Sequence, residues 1–261
     1  MRLRILGCHG GESPTHRATS FLIDDKLLLD AGSMTRGLSV DEQLAIDHIF
    51  VSHAHLDHVR DLGLLADNIF ARRNTPIEVY CCDATADGLE KSYFNGQLWP
   101  NFFAIPNPTD PDKNGMLRLN RIAPEQEVKV GGYTLKTITV NHSIDCQAAF
   151  VTDASGATLV YSGDTGPTEG LWPQLNAVED LRGFIFEVSF PNGMEQLAQV
   201  SGHLTPAMMS DELKKYSPQN PDARIFIYGM KPGYHDVLKT QIAELKDERL
   251  TMLKPMDEFE L

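Results

Sequence analysis

The segment His53-Ala-His55-Leu-Asp57-His58 constrains this chain more than any other feature. It follows directly on the apolar run Ile49 to Val51, which reads as the end of a buried strand. In an extended or tightly turned backbone, residues i and i+2 project to the same side. His53 and His55 are therefore placed to grip one ion, while Asp57 and His58 turn toward another. Imidazole and carboxylate together suit zinc, with iron or manganese as alternatives. Ligands mounted at the end of a buried strand are held rigidly, so the fold must bring the remaining ligands to this strand end.

Two later strand ends supply candidates. His142 comes just after a strand ending at Val140. Asp164 follows the apolar run Leu159 to Tyr161 in Ser162-Gly163-Asp164-Thr165-Gly166, where flanking glycines permit a tight turn that aims the carboxylate inward. Alone, a strand-end Asp is a turn former; its order and spacing after the first motif make it a metal-ligand candidate. His203 lies in Ser201-Gly202-His203-Leu204-Thr205-Pro206, just before a helix start with Thr205 as N-cap and Pro206 at the first position. A helix N-terminus attracts anions, so His203 suits a phosphate oxygen or a leaving group. The plainer reading of His203 is a capping-region residue. Cys146, four residues after His142, reads as a buried thiol.

Strands are expected at Leu3 to Leu6, at Thr19 to Ile23 and Leu27 to Leu29 around the turn Asp24-Asp25-Lys26, at Ile46 to Val51 and at Ile77 to Cys82. Leu62 to Phe70 reads as a helix, and Asp83 as the cap of another. The strand pattern resumes at Val128 to Val130, Tyr133 to Val140, Ala148 to Thr152, Thr158 to Tyr161, Phe184 to Val188 and Ile225 to Tyr228. Leu238, Ile242 and Leu245 mark an amphipathic final helix. Residues 93–118, rich in proline and aromatic side chains, read as an ordered insertion. These patterns predict one domain over residues 1–261, with two sheets face to face and helices outside.

The net charge of −13, from 36 acidic against 23 basic residues, argues against a general nucleic-acid binder. It does not forbid a small anionic substrate, because a bound dication dominates its local field. The four cysteines form no CxxC pair and read as reduced thiols of a cytoplasmic protein. The start is too short and broken for a signal peptide, and no apolar run approaches the ~20 residues needed to span a bilayer.

Taken together, these segments resemble the metallo-β-lactamase superfamily, and more narrowly its class II cyclic-nucleotide phosphodiesterases, relatives of the tRNA 3′-processing nucleases. The similarity rests on His53-Ala-His55-Leu-Asp57-His58, Asn141-His142, Ser162-Gly-Asp164-Thr-Gly-Pro167, Glu187-Val-Ser-Phe-Pro-Asn192, Ser201-Gly-His203-Leu-Thr-Pro206 and Phe94-Asn-Gly-Gln-Leu-Trp99-Pro100. It runs from about residue 2 to about residue 246. The resemblance implies an α/β fold, an αββα sandwich of two mixed sheets. It implies one ion on His53, His55 and His142, a second on Asp57 and His58, and Asp164 between them. It also suggests a homodimer. One departure stands out. The family places a further metal-binding His before a late Lys-Pro pair, and here Gly229 stands there, ahead of Met230-Lys231-Pro232. His235, six residues on, is a candidate additional ligand; water in that place or a single ion are the alternatives.

The expected activity is hydrolysis of a 3′,5′-cyclic nucleotide, a small-molecule substrate, by a zinc-dependent enzyme. Asp57 and His203 are the candidate catalytic residues. His203, Thr205, Phe94 and Trp99 are the candidate substrate contacts, although aromatic residues here also suit plain core packing. RNA 3′-end processing would need a basic RNA-gripping arm, which the sequence lacks. A nucleotide-binding protein with an incomplete second site, and a hydrolase acting on a thioester or lactam, are the other readings.

Overall fold

The computed structural model describes residues 1–220 and 222–261. The first half runs β1 (Arg2–Gly7), β2 (Ser20–Ile23), β3 (Leu27–Leu29), α1 (Val40–Ala45), β4 (His48–Phe50), α2 (Leu56–Val59), α3 (Asp61–Asn68), β5 (Ile77–Cys81), α4 (Asp83–Gly88) and β6 (Leu117–Arg121). The second runs β7 (Glu127–Val130), β8 (Tyr133–Val140), β9 (Cys146–Thr152), β10 (Thr158–Tyr161), α5 (Leu171–Asn176), β11 (Leu181–Glu187), α6 (Glu195–Ser201), α7 (Pro206–Leu213), β12 (Arg224–Tyr228), α8 (His235–Glu244), β13 (Leu250–Met252) and β14 (Glu258–Glu260).

The strands form two seven-stranded sheets, in the orders β14-β1-β2-β3-β4-β5-β6 and β13-β12-β11-β10-β9-β8-β7. Both are mixed and follow one plan. In the first, β14 to β3 pair antiparallel and β3 to β6 parallel. In the second, β7 to β10 pair antiparallel and β10 to β13 parallel. The sequence shows no repeat, yet the two halves share this arrangement.

Side-chain alternation along the strands explains the layering. Leu3, Ile5, Phe21, Ile23, Leu27, Leu29 and Phe50 of the first sheet meet Leu159, Tyr161, Ile185, Phe226 and Tyr228 of the second in one buried core. Their neighbours Leu22, Leu28 and Ile49 face the opposite way, toward Leu62 and Leu65 of α3. Val160, Phe184, Phe186, Ile225 and Ile227 likewise pack on Met209 of α7 and Leu238 and Ile242 of α8. Strands buried on both faces carry apolar residues at nearly every position, which is why they are so plain in the sequence. The result is the expected αββα sandwich. Among the described residues, no helix is long and apolar enough to cross a membrane.

Three local readings change. The cap of α4 is Cys82, with Asp83 the first helical residue; its carboxylate still sits favourably in the first turn. Residues 93–118 are built onto the first sheet. Phe94 and Phe102 join the core outside it, Asp110 accepts from the Asn114 side chain at 2.8 Å, and β6 begins within the segment. The short helix α1 opens with a reciprocal Ser39–Glu42 capping box that the sequence reading passed over. Thr205 does cap α7, accepting from Met208 N at 3.3 Å.

Phe226 is fully buried between the sheets, with its ring centroid 4.7 Å from that of Phe259. Phe226→Ala is expected to cost about 3–5 kcal/mol in urea unfolding. Val200→Ala, at a position 72% exposed, should change stability little. Equal midpoints for the two variants would contradict the packing described.

Candidate metal centre

Four groups of side chains arrive at one place from remote parts of the chain. His53 and His55 leave the end of β4, and α2 carries Asp57 and His58. His142 follows β8, Asp164 follows β10, and His203 lies between α6 and α7. His53 Nε2 lies 3.0 Å from His55 Nδ1, and His142 Nε2 lies 3.1 Å from the same atom. His53, His58 and Asp164 converge as a second group, and His142, Asp164 and His203 as a third. Asp164 belongs to both. His58 Nε2 lies 3.4 Å from Asp164 Oδ2 and 3.8 Å from Asp57 Oδ2.

The surrounding residues hold these rings in place. The Asp30 carboxylate accepts from Ser52 N and Ser52 Oγ, both at 2.7 Å, and from Tyr161 Oη at 2.6 Å. It also lies 2.7 Å from His58 Nδ1. His142 Nδ1 is 2.8 Å from the Gly202 carbonyl, to which it donates. Tyr228 Oη donates to Asp164 Oδ1 at 3.1 Å. Fixing one ring nitrogen by a carboxylate or carbonyl leaves the other free to ligate. Gly163 makes the turn before Asp164 with φ +60, and a Cβ there would lie 2.8 Å from Cys146 Sγ.

The electrostatics favour a cation. Burial pushes the His53 imidazole well below its ordinary range, and burial also lowers His55 and His142; neutral rings are the ligating form. Burial opposes a charge on His58 too, but Asp164, Asp30 and Asp57 outweigh it and hold the ring well above its usual range. Burial raises Asp164, yet His58, His203 and His53 pull it well below the carboxylate range. Three carboxylates thus face one buried imidazole whose Nε2 makes no hydrogen bond among the described residues. An orphaned buried nitrogen among carboxylates fits a divalent ion. Cys146 Sγ lies 3.6 Å from His53 Nδ1, and burial keeps it a thiol.

The family description "Beta-lactamase superfamily domain" matches residues 26–220. The chain belongs to this superfamily. A relative in Yersinia pestis, named "Probable 3′,5′-cyclic-nucleotide phosphodiesterase", is 29% identical over 294 residues, spanning 92% of this chain and 82% of its own. Unliganded yeast PDE1 superimposes with a TM-score of 0.82 at 16% identity, covering 100% of this chain and 99% of its own. The short form of human tRNase Z does so with a TM-score of 0.69 at 18% identity, covering 100% and 99%. This superfamily member is a hydrolase with divalent-metal groups at the strand ends.

The remaining sequence candidates sit elsewhere. Phe94 is fully enclosed, its ring 4.6 Å from that of Tyr93 and 4.8 Å from that of Phe103. Trp99 is half-buried against the same core. Thr205 is fully buried, with Oγ1 committed to the α7 backbone behind His203. His235 lies with His9 and His16, its ring 5.5 Å and 4.9 Å from theirs. At Gly229 a Cβ would make ordinary van der Waals contact, 3.5 Å from Ser189 Oγ and 3.6 Å from Glu187 Oε2.

Two partners escaped the sequence reading. Glu187 Oε1 lies 2.8 Å from His203 Nδ1. Asp30 directly follows the run Leu27 to Leu29, and Asp164 comes three residues after Leu159 to Tyr161; a carboxylate just past a buried strand was the available signal. Asp30→Asn should keep the shape and remove the negative charge behind His58. Zinc affinity, measured by competition with a chelator, is expected to fall about 10–100-fold. Unchanged affinity would show that Asp30 only supports the fold.

Proposed function

We propose that this chain hydrolyses 3′,5′-cyclic nucleotides to nucleoside 5′-monophosphates, with zinc held by His53, His55 and His142, by Asp57 and His58, and by Asp164 shared between the two groups. When bound, such ions act as Lewis acids and bring the pKa of water they coordinate to about 7. The observation that carries the reading is the His203–Glu187 pair beside Asp164. His203 Nδ1 stands 2.8 Å from Glu187 Oε1 and 3.9 Å from Asp164 Oδ2. Burial lowers a histidine, but Glu187 outweighs it and His203 is held above its ordinary range. Cleaving a phosphodiester releases an alkoxide that needs a proton, and a carboxylate-held imidazolium can deliver one. Asp57, 30% exposed beside His58 Nε2, orients the attacking water as well as serving as ligand.

The cyclic-nucleotide substrate is supported by the Yersinia pestis relative, which matches along nearly the whole chain. The net charge of −13 weighs against an extended RNA substrate. Gly229 favours a second reading, in which the weaker ligand set leaves a protein that binds nucleotide and turns it over slowly.

With added Zn²⁺ or Mn²⁺ the purified protein should convert cyclic AMP or cyclic GMP to the 5′-monophosphate. His55→Ala should lose at least a hundredfold in kcat/KM, and precursor tRNA should remain uncut. Nucleotide binding by calorimetry with only trace turnover would establish the second reading instead.

The acid role has its own signature. A proton donor is lost as pH rises through its pKa, so the alkaline limb of kcat/KM reports His203. Glu187→Gln removes the charge that lifts this pKa, and the limb should move to lower pH. His203→Ala should abolish the limb and slow turnover about 10²–10⁴-fold. An alkaline limb identical in all three proteins would assign the proton transfer to another group.

A further inference from the structure

We propose that His9, His16 and His235 form a second metal site, separate from the one around Asp164, that takes a zinc-class divalent ion. The three residues share no member with the groups at the strand ends. His9 follows β1, His16 lies in the loop before β2, and His235 is the first residue of α8. One ring nitrogen from each lies within 4.8 Å of the other two. The ring centroids are 4.6, 4.9 and 5.5 Å apart.

Several features separate this group from a chance meeting of surface side chains. His9 is buried, at 3% exposure, while His16 and His235 are half-buried beside it. His9 Nδ1 lies 3.3 Å from the Arg17 carbonyl, and His16 Nδ1 lies 2.6 Å from Ser13 Oγ. His9 Nδ1 also lies 3.2 Å from Arg17 N, and His16 Nδ1 3.1 Å from Thr15 Oγ1; such contacts hold both rings in place, as partners of metal-binding histidines do. Asp236 Oδ1 lies 3.6 Å from His235 Nδ1, too far for a hydrogen bond. Burial drives His9 down to about 4 and lowers His16, and each is lowered further by its neighbouring histidines. His9 and His16 thus favour the neutral, ligating form, and both face the His235 ring. Tetrahedral zinc with bonds of about 2.0–2.1 Å needs ligand nitrogens roughly 3.4 Å apart. Small rotations of His16 and His235, the more exposed rings, suffice to close that gap. The group opens on a cleft of about 460 Å³ lined by Met230, Lys239 and Lys254, which leaves room for water as a fourth ligand.

An ion here would clip the loop after β1 to the start of α8. That loop already packs on the strand end at Gly229, whose N donates to the Cys8 carbonyl at 2.9 Å. The clip would therefore steady the wall of the active site where the family's usual histidine is missing.

Zinc per chain, measured by elemental analysis after dialysis in zinc-buffered solution, tests this. His16→Ala/His235→Ala should carry one equivalent less than the unmodified protein. In a His53→Ala/His55→Ala background, adding the other two substitutions should again remove one equivalent. In that background zinc should also raise Tm, and His16→Ala alone should weaken binding at least tenfold. His9 is left intact because its burial makes it the substitution most prone to unfold the chain. Equal zinc content with and without His16 and His235, in proteins with matching circular dichroism, would overturn the proposal.

Discussion

The Asp30 carboxylate is the point on which the two sheets and the metal centre depend together. It leaves the end of β3 in the first sheet and receives Ser52 and His58 from the same half of the chain. Tyr161, from β10 of the second sheet, donates to it across the interface. Tyr228, from β12, continues the chain of contacts through Tyr161 Oη at 3.4 Å and to Asp164. Apolar packing between sheets is tolerant of sliding, whereas a fully buried carboxylate must keep its donors or leave a charge unpaired. The network thus sets the register of one sheet on the other. The same register brings His53, His55 and His58 from one half to meet His142 and Asp164 from the other.

Most of the sandwich was readable because its strands are covered on both faces. Runs such as Leu27 to Leu29 and Phe184 to Val188 announce themselves without help from tertiary structure. The strands that were missed are short or edge elements. Of these, β13 and β14 hold three residues each, and Leu253, Phe259 and Leu261 are what they and their ends bring to the core between the sheets. Their identity comes from the strand they pair with rather than from their own pattern. The cap of α4 was misplaced by one position because Asp83 has the chemistry of a cap while the backbone turns at Cys82.

The ligand candidates were legible for a different reason. His and Asp at the ends of buried strands, in the right order, have few structural alternatives. The residues behind them were not, since Asp30 and Glu187 gain their roles only from partners 28 and 16 positions away. Aromatic residues gave the opposite error. Phe94 sits in a segment that resembles the phosphodiesterases, yet its ring fills the core over α3. Family likeness located the segment, and burial decided what the side chain does.

Gly229 adopts a φ of +86, a backbone state that residues with a side chain rarely enter. The backbone at this position therefore disfavours any side chain, an imidazole included. Placing an imidazole here by mutation would set a Cβ into a left-handed turn, while the strand end stays tethered to Cys8. Redesign of this corner of the pocket is therefore easier through Ser189 and Glu187, whose side chains would touch that Cβ, than through position 229 itself.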